Sequence, residues 1–180
     1  MASGTTIHHL VVNVSDVDRG VYETLDLRVA RHPSETMRWM LTRALAYALA
    51  YEDGIAFSKS GLHDVEEPPL AVHDPTGKLL AWIEIGAPSA DRLHKASKAS
   101  PRVALYTSSD LSNLRKEIAG RKVHRVEEID LFQLDPKLLE ALEPLVGRRT
   151  ELSLSRNDGR MYIDVGGVTL EGNAERSSLV

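Results

Sequence analysis

Residues 67–98 read EPPLAVHDPTGKLLAWIEIGAPSADRLHKASK, and the reading of this stretch decides the fold. Leu70-Ala71-Val72 predicts a strand. Pro68-Pro69 puts it at its first residues or on a sheet edge, because proline cannot donate to a ladder. His73 to Lys78 predicts a turn, with Asp-Pro and Gly in turn positions. Leu79 to Gly86 predicts a second strand, and its near-continuous apolar run predicts burial on both faces, as in a central strand. Residues 88–99 predict a helix with Pro88 at its start and Asp91 in its first turn. Glu67 opens the first strand, Glu84 closes the second, and Lys95 follows on the helix. Two carboxylates and a lysine are a common kit for phosphodiester cleavage. The carboxylates hold Mg²⁺, which prefers oxygen ligands and keeps several waters. The metal lowers the pKa of a bound water and neutralises phosphate charge. The lysine steadies the attacking water or the developing charge.

Upstream, residues 5–30 predict a β-hairpin or a pair of strands. Ile7, Leu10, Val11, Val12 and Val14 make one arm, SDVDRG is turn-like, and residues 25–29 alternate apolar and polar. In RHPSETMRWMLTRALAYALAYEDG, Met37, Met40, Leu41, Ala44, Leu45, Ala48 and Leu49 follow the spacing of a core-facing helix. Ser34 or a neighbour is placed to cap its start and Gly54 to stop it. Residues 54–58 predict a short strand and SKSGLHDVEEPP a polar loop. Downstream, residues 102–106 predict a strand, 109–119 a helix after a Ser-Ser-Asp cap, Val123 to Ile129 a strand, and Pro136 to Val146 a short helix. The tail carries a hairpin turning at Asn157-Asp158-Gly159, and about the last eight residues are expected to fray. The order places an αβββαβ unit inside extra N- and C-terminal β elements, an α/β or α+β arrangement.

Composition bounds the function. At 180 residues one domain over 1–180 is expected, with a real core. No apolar run approaches the length of a membrane span, and MASGTTIHHLVV lacks the basic start of a signal peptide. There is no cysteine, which removes disulfides, thiol catalysis and cysteine-bound zinc and suits a cytoplasmic protein. The net charge of −4 excludes a polybasic nucleic-acid coat. Between Gly86 and Lys122, however, eight Lys and Arg face three Asp and Glu, so a local basic face is expected. No HExxH, Walker A, GxGxxG or GxSxG motif is present. Two tryptophans and five tyrosines offer little surface for base stacking.

Three stretches carry a family resemblance: ARHPSET at 30–36, the Glu67-Pro68 pair, and WIEIGAPSADRLHKASK at 82–98. On these the whole chain resembles the YaeQ family. The resemblance implies a variation on the PD-(D/E)XK, restriction-endonuclease-like fold, with a mixed sheet flanked by helices and a nuclease-like core over about 34–130. Carried over by position, it makes Glu84 the acid at the end of its strand and Glu67 the upstream acid, with Glu66 and Asp74 as rivals. Glu67 and Glu84 are then the metal ligands and Mg²⁺ the cofactor. The lysine expected two residues after Glu84 is Gly86 here. Some branches supply it from the next helix, which makes Lys95 the candidate and Lys98 the second choice. Glu35 matches an acid that some of these nucleases add to the site. Arg92, Lys98 and Arg102, with Arg31 ahead of the long helix, are candidates for the phosphate backbone. The expectation is a Mg²⁺-dependent nuclease-like protein acting on DNA or RNA. Its alternative is a catalytically inactive nuclease-fold module that binds nucleic acid or a protein partner.

Overall fold

The computed structural model describes residues 4–59 and 65–180; residues 60–64 of the expected polar loop and the first three residues lie outside the described residues. In chain order the elements begin with β1 (Thr6–Asp16), β2 (Val21–Arg31), α1 (Met37–Leu49), β3 (Ile55–Phe57), β4 (Leu70–His73), β5 (Leu79–Ile85) and α2 (Ala90–Ala99). There follow β6 (Arg102–Thr107), α3 (Ser112–Gly120), β7 (Asp130–Gln133), α4 (Pro136–Leu142), β8 (Arg149–Asn157), β9 (Arg160–Val165), β10 (Val168–Asn173) and β11 (Arg176–Ser178). This is a mixed α/β fold with two mixed sheets and, among the described residues, four α-helices. The chain divides into two compact units, one of Met1–Tyr51 with Leu134–Glu175, the other of Glu52–Gln133 with Arg176–Val180. None of the helices among the described residues is long and apolar enough to cross a membrane.

The first unit holds the sheet β10-β9-β8-β1-β2, antiparallel except where β1 runs parallel to β8. The expected hairpin is present, with Thr6 opposite Arg31 and Asp16 opposite Val21. Its period-2 pattern buries Leu10, Val12, Val14, Leu25, Leu27 and Val29. The cap of α1 is Thr36, whose Oγ1 accepts from the Trp39 N–H at 3.1 Å. The helix ends at Leu49, before Gly54, and two arginines take carbonyls at and just past its end. Arg156 donates to the Leu49 oxygen at 3.0 Å, and Arg19 to the oxygens of Leu49 and Tyr51 at 2.8 and 2.9 Å. Arg156 is itself buried against Asp16, its Nε 3.0 Å from Oδ2. Gly54 serves instead in the turn into β3, at φ +93, where a Cβ would come 2.0 Å from the His73 carbonyl oxygen.

The second unit holds the sheet β11-β7-β6-β5-β4-β3. β3, β4 and β5 form an antiparallel meander, and β5, β6 and β7 run parallel. Parallel neighbours need a crossover, supplied by α2 and α3. β5 is central, and Ala81 to Ile85 are all buried, as the apolar run predicts. Trp82, Leu93, Leu105, Leu114, Leu131 and Leu179 belong to one core cluster. The order helix, three strands, helix, strand is present as α1, β3, β4, β5, α2 and β6, with α1 in the first unit and the rest in the second.

Four expectations are corrected. Glu67 precedes β4, which opens at Leu70, and α3 follows Leu111 with no side-chain cap in place of the expected Ser-Ser-Asp. Val123 to Ile129 is not a strand: it contains a short 3₁₀ turn, Val126–Glu128, and the strand begins at Asp130. Arg125 takes a left-handed φ of +46, which an extended segment excludes, and its guanidinium donates to the carbonyls of Ser97 at 2.7 Å and Ser100 at 2.8 Å. Val123 and Ile129 are buried as core contacts, which explains the apolar pattern without a strand. The C-terminus is not frayed either. Arg176 pairs with Phe132 in the ladder of β11 with β7, and Leu179 is 1 % exposed. An apolar residue next to a free sheet edge gains more by burial than the chain end loses in entropy.

Candidate functional site

Glu84 is the penultimate residue of β5, and central placement buries it to 3 % exposure. A carboxylate this deep needs partners. Its Oε2 accepts from Trp82 Nε1 at 2.9 Å and from Arg92 Nε at 2.8 Å. Burial pushes the Glu84 carboxyl above the ordinary glutamate value, against the lowering effects of the Trp82 hydrogen bond, Arg92 and the Ile85 N–H. Arg92 lies in the first turn of α2, whose start is fixed by Ser89 Oγ accepting from the Arg92 N–H and by Glu117 of α3 accepting from the Ala90 N–H. Its guanidinium lies 5.6 Å from the centre of the Trp82 ring. It also donates to the carbonyl oxygens of Val65 at 3.2 Å and Glu67 at 2.9 Å.

Lys95 sits three residues along α2, on the same side as Arg92. Its Nζ donates to the Val65 oxygen at 3.3 Å and pairs with Glu66. The structure therefore gathers Glu84, Arg92, Lys95 and the backbone of residues 65–67. The Glu67 carboxylate takes a different partner, accepting from Ser58 Oγ at 2.9 Å. Of the rivals, Glu66 is the partner of Lys95, and Asp74 is engaged in its own turn. Asp74 accepts from Thr76 Oγ1 at 2.6 Å and from the N–H groups of Thr76 and Lys78, and these bonds, the Thr76 hydroxyl first, hold its carboxyl below the usual range.

Gly86, two residues after Glu84, holds a conformation that suits glycine. Its φ is +85 while its N–H donates to Tyr106 at 3.0 Å. A lysine there would be strained, whereas a lysine on α2 reaches the same segment without that cost.

The remaining candidates lie elsewhere. Lys98 is exposed in the last turn of α2, where a cation suits the helix dipole. Arg102 opens β6 and pairs with Glu52 at 2.9 Å. Glu35 belongs to the first unit. It is buried, pairs with Arg43 of α1 at 3.2 Å and accepts from the His32 N–H at 3.1 Å. Burial raises its carboxyl pKa, against the pull of Arg43 and Arg31. Arg31 ends β2 close enough to act on Glu35, and among the described residues its buried Nε has no hydrogen-bond partner.

Sequence reasoning missed the partners of the acids. Trp82 falls within the expected second strand, Ser58 where the expected short strand meets the polar loop, and Arg43 outside the apolar positions of the expected helix. The available signal was an arginine two helical turns beyond an acid on an otherwise buried face, as Arg43 is to Glu35. The Asp16–Arg156 pair had no local signal at all.

The fit to Mg²⁺ rests on the oxygens. Glu84 Oε2 and the carbonyls of Val65 and Glu67 converge on one positive charge, the Arg92 guanidinium. Hard oxygens around a cation suit Mg²⁺, which is often held by one or two carboxylates and its own waters. Among the described residues no group of three or more His, Asp or Glu is placed to cage a metal. A metal here would rely on Glu84, this backbone and water.

The comparisons with known proteins agree over nearly the whole length. The family model described as YaeQ protein matches residues 1–173. The uncharacterized protein YaeQ of Escherichia coli K12 is 29 % identical over 174 residues, covering 96 % of each chain. That of Salmonella typhi is 30 % identical over 164 residues, covering 91 % of this chain and 90 % of its own. The crystal structure of the YaeQ protein from Pseudomonas syringae matches with a TM-score of 0.87 at 30 % identity, covering 98 % of this chain and 96 % of that one. The structure from Xanthomonas axonopodis pv. citri matches with a TM-score of 0.86 at 28 % identity, covering 97 % and 98 %. A shared fold over full length and a family match over residues 1–173 leave one conclusion: this chain belongs to the YaeQ family.

Proposed function

We propose that this protein is a nuclease-like enzyme of the cytoplasm that acts on nucleic-acid phosphodiester bonds with Mg²⁺, using the cluster at the end of β5. The observation that carries this reading is the convergence of buried Glu84, Arg92 and Lys95 on the backbone of residues 65–67. The strand order β3-β4-β5-α2-β6 supports reading the second unit as the greater part of a restriction-endonuclease-like core. Glu84 with the Val65 and Glu67 carbonyls is the proposed metal site, joined by the Glu67 carboxylate once it leaves Ser58; the metal would supply an activated water and neutralise phosphate charge. Lys95, released from Glu66, is the group that steadies negative charge on the phosphate. Arg92, Lys98 and Arg102 take backbone phosphates, where guanidinium groups bind in fork geometry. Glu35, paired with Arg43 and lying near Arg31, fixes the approach to α1 within the first unit. Incubation of the purified protein with single-stranded and duplex DNA and RNA, with Mg²⁺ or with chelator, tests the reading. Cleavage that needs Mg²⁺ and is lost in Glu84→Ala supports it. Absence of Mg²⁺ binding, with any cleavage unchanged in Glu84→Ala, overturns it.

A second reading is a catalytically inactive module of the same fold that binds nucleic acid or a protein. It is favoured by one observation: a protein cation already fills the place between Glu84 and the 65–67 carbonyls. Nucleic-acid affinity that falls steeply with salt but ignores Mg²⁺ distinguishes this reading from the first.

A further inference from the structure

Arg92 is anchored in a way that a phosphate-binding arginine does not require. Its Nε is 2.8 Å from Glu84 Oε2, its two terminal nitrogens donate to the carbonyls of Val65 and Glu67, and its plane lies near the Trp82 ring. The oxygens that attract this guanidinium are those that would attract a metal ion, and Glu84 Oε2 already accepts from both Trp82 and Arg92, so a metal on that oxygen would have to displace Arg92. Glu84 is sealed from other help: its side chain is 4 % exposed, against 23 % for Arg92. Arg92 is thus the exposed member of the pair and the one able to leave.

We infer that Arg92 is a built-in competitor for the cation position at Glu84, so that metal enters only in molecules whose Arg92 has been drawn away. This rests on the metal-dependent reading above and adds an order of events to it. A phosphodiester is the ligand suited to draw Arg92 out, because it accepts two parallel hydrogen bonds from a guanidinium. Substrate phosphate and metal therefore bind cooperatively. Metal without substrate binds weakly, since its apparent affinity is reduced by the fraction of molecules in which the position is open. The exposed Lys95–Glu66 pair, 40 % and 72 % exposed, guards the same 65–67 segment but leaves Glu84 untouched. Its share in the competition is the Val65 oxygen alone.

The test is calorimetric titration of Mg²⁺ into the wild-type chain and the Arg92→Met, Arg92→Lys and Glu84→Gln variants at one pH and ionic strength. An Arg92 released in about 1–10 % of molecules predicts Mg²⁺ binding about 10- to 100-fold tighter in Arg92→Met. Arg92→Lys, which keeps the charge but cannot span three oxygens, should fall between the two. A short single-stranded DNA should tighten Mg²⁺ binding to the wild type but not to Arg92→Met, each measured as the excess over Glu84→Gln with the same DNA. Near-ultraviolet circular dichroism reports whether each variant is folded. If Arg92→Met fails to fold, Arg92→Lys decides, and affinity equal to wild type overturns the inference. Equal or weaker Mg²⁺ binding in folded Arg92→Met, with binding still lost in Glu84→Gln, overturns the competition while leaving the metal site standing. Metal binding unaffected by Glu84→Gln in every background overturns both.

Discussion

Replacing Arg92 by methionine isolates the energetic consequence of a buried carboxylate. Methionine still covers the Trp82 ring but leaves Glu84, 3 % exposed, with only the Trp82 and Ile85 N–H groups as donors. Removing one partner of a fully buried pair costs about 3–5 kcal/mol. The Arg92 side chain is 23 % exposed, so water already screens part of the attraction, and about 2–3 kcal/mol is expected. In a chain of this length that lowers the melting temperature by about 4–12 °C. The sign with pH follows from the direction of the Glu84 shift. Burial raises its folded pKa, and loss of Arg92 raises it further. A carboxyl raised in the folded state contributes stability that is fully present below the unfolded value, about 4.3, and lost as pH rises through the folded value. The variant should therefore be close to wild type at about pH 4 and fall progressively behind it towards neutral pH. Glu84→Gln combined with Arg92→Met should recover most of the loss, because no charge remains to be stranded. Urea denaturation followed by circular dichroism across this range measures it. A deficit under about 0.5 kcal/mol at neutral pH, or one that does not vary with pH, would refute the account of Glu84 as a carboxylate held by Arg92.

Three further outcomes follow from packing and pairing. Asp16→Ala strands Arg156, whose side chain is 5 % exposed, and loosens the end of α1 that Arg156 holds; a loss of about 3–5 kcal/mol is expected. Glu171→Ala breaks the Arg160 pair at roughly half exposure, and thermal melts should show it within about 1 kcal/mol of wild type. Leu179→Ala should cost about 2–4 kcal/mol in chemical denaturation, since Leu179 lies in the core cluster with Leu105 and Leu131; an unchanged midpoint would mean that the C-terminus is not docked.

The strands and helices were legible where one physical signal acted alone. The run Ala81 to Ile85 is apolar because it is central, and the alternation in β1 and β2 is the signature of a sheet with one buried face. The reading failed where the same apolar residues had a different cause. Val123 and Ile129 are spaced like strand residues, yet they plug the core from either side of a left-handed Arg125. That conformation is held by carbonyls at Ser97 and Ser100, far away in sequence, so no local pattern carries it. Leu179 was lost for a related reason: terminal position argues for disorder only until a sheet edge, here β7, is known to be free to receive the chain.

The candidate site divides along a sharper line. The acids were singled out because their types and spacing suit a known chemistry; the cations that neutralise them were singled out only in part. Arg92 was singled out for phosphate, whereas the structure pairs it with Glu84. The two tasks conflict, because one guanidinium cannot hold Glu84 and a phosphate at once. Gly86 shows why the conflict arises in this chain. With φ at +85, position 86 is suited to glycine, and among the described residues the cations that meet Glu84 and the 65–67 segment, Arg92 and Lys95, come from α2. A cation on a helix reaches the carboxylate across the 65–67 segment instead of from within the strand, and it binds that segment on the way. Moving the positive charge from β5 to α2 therefore links the charge state of Glu84 to the position of the loop over it. That linkage is what an enzyme using Glu84 would have to break in each turnover, and what a binding module would have reason to keep.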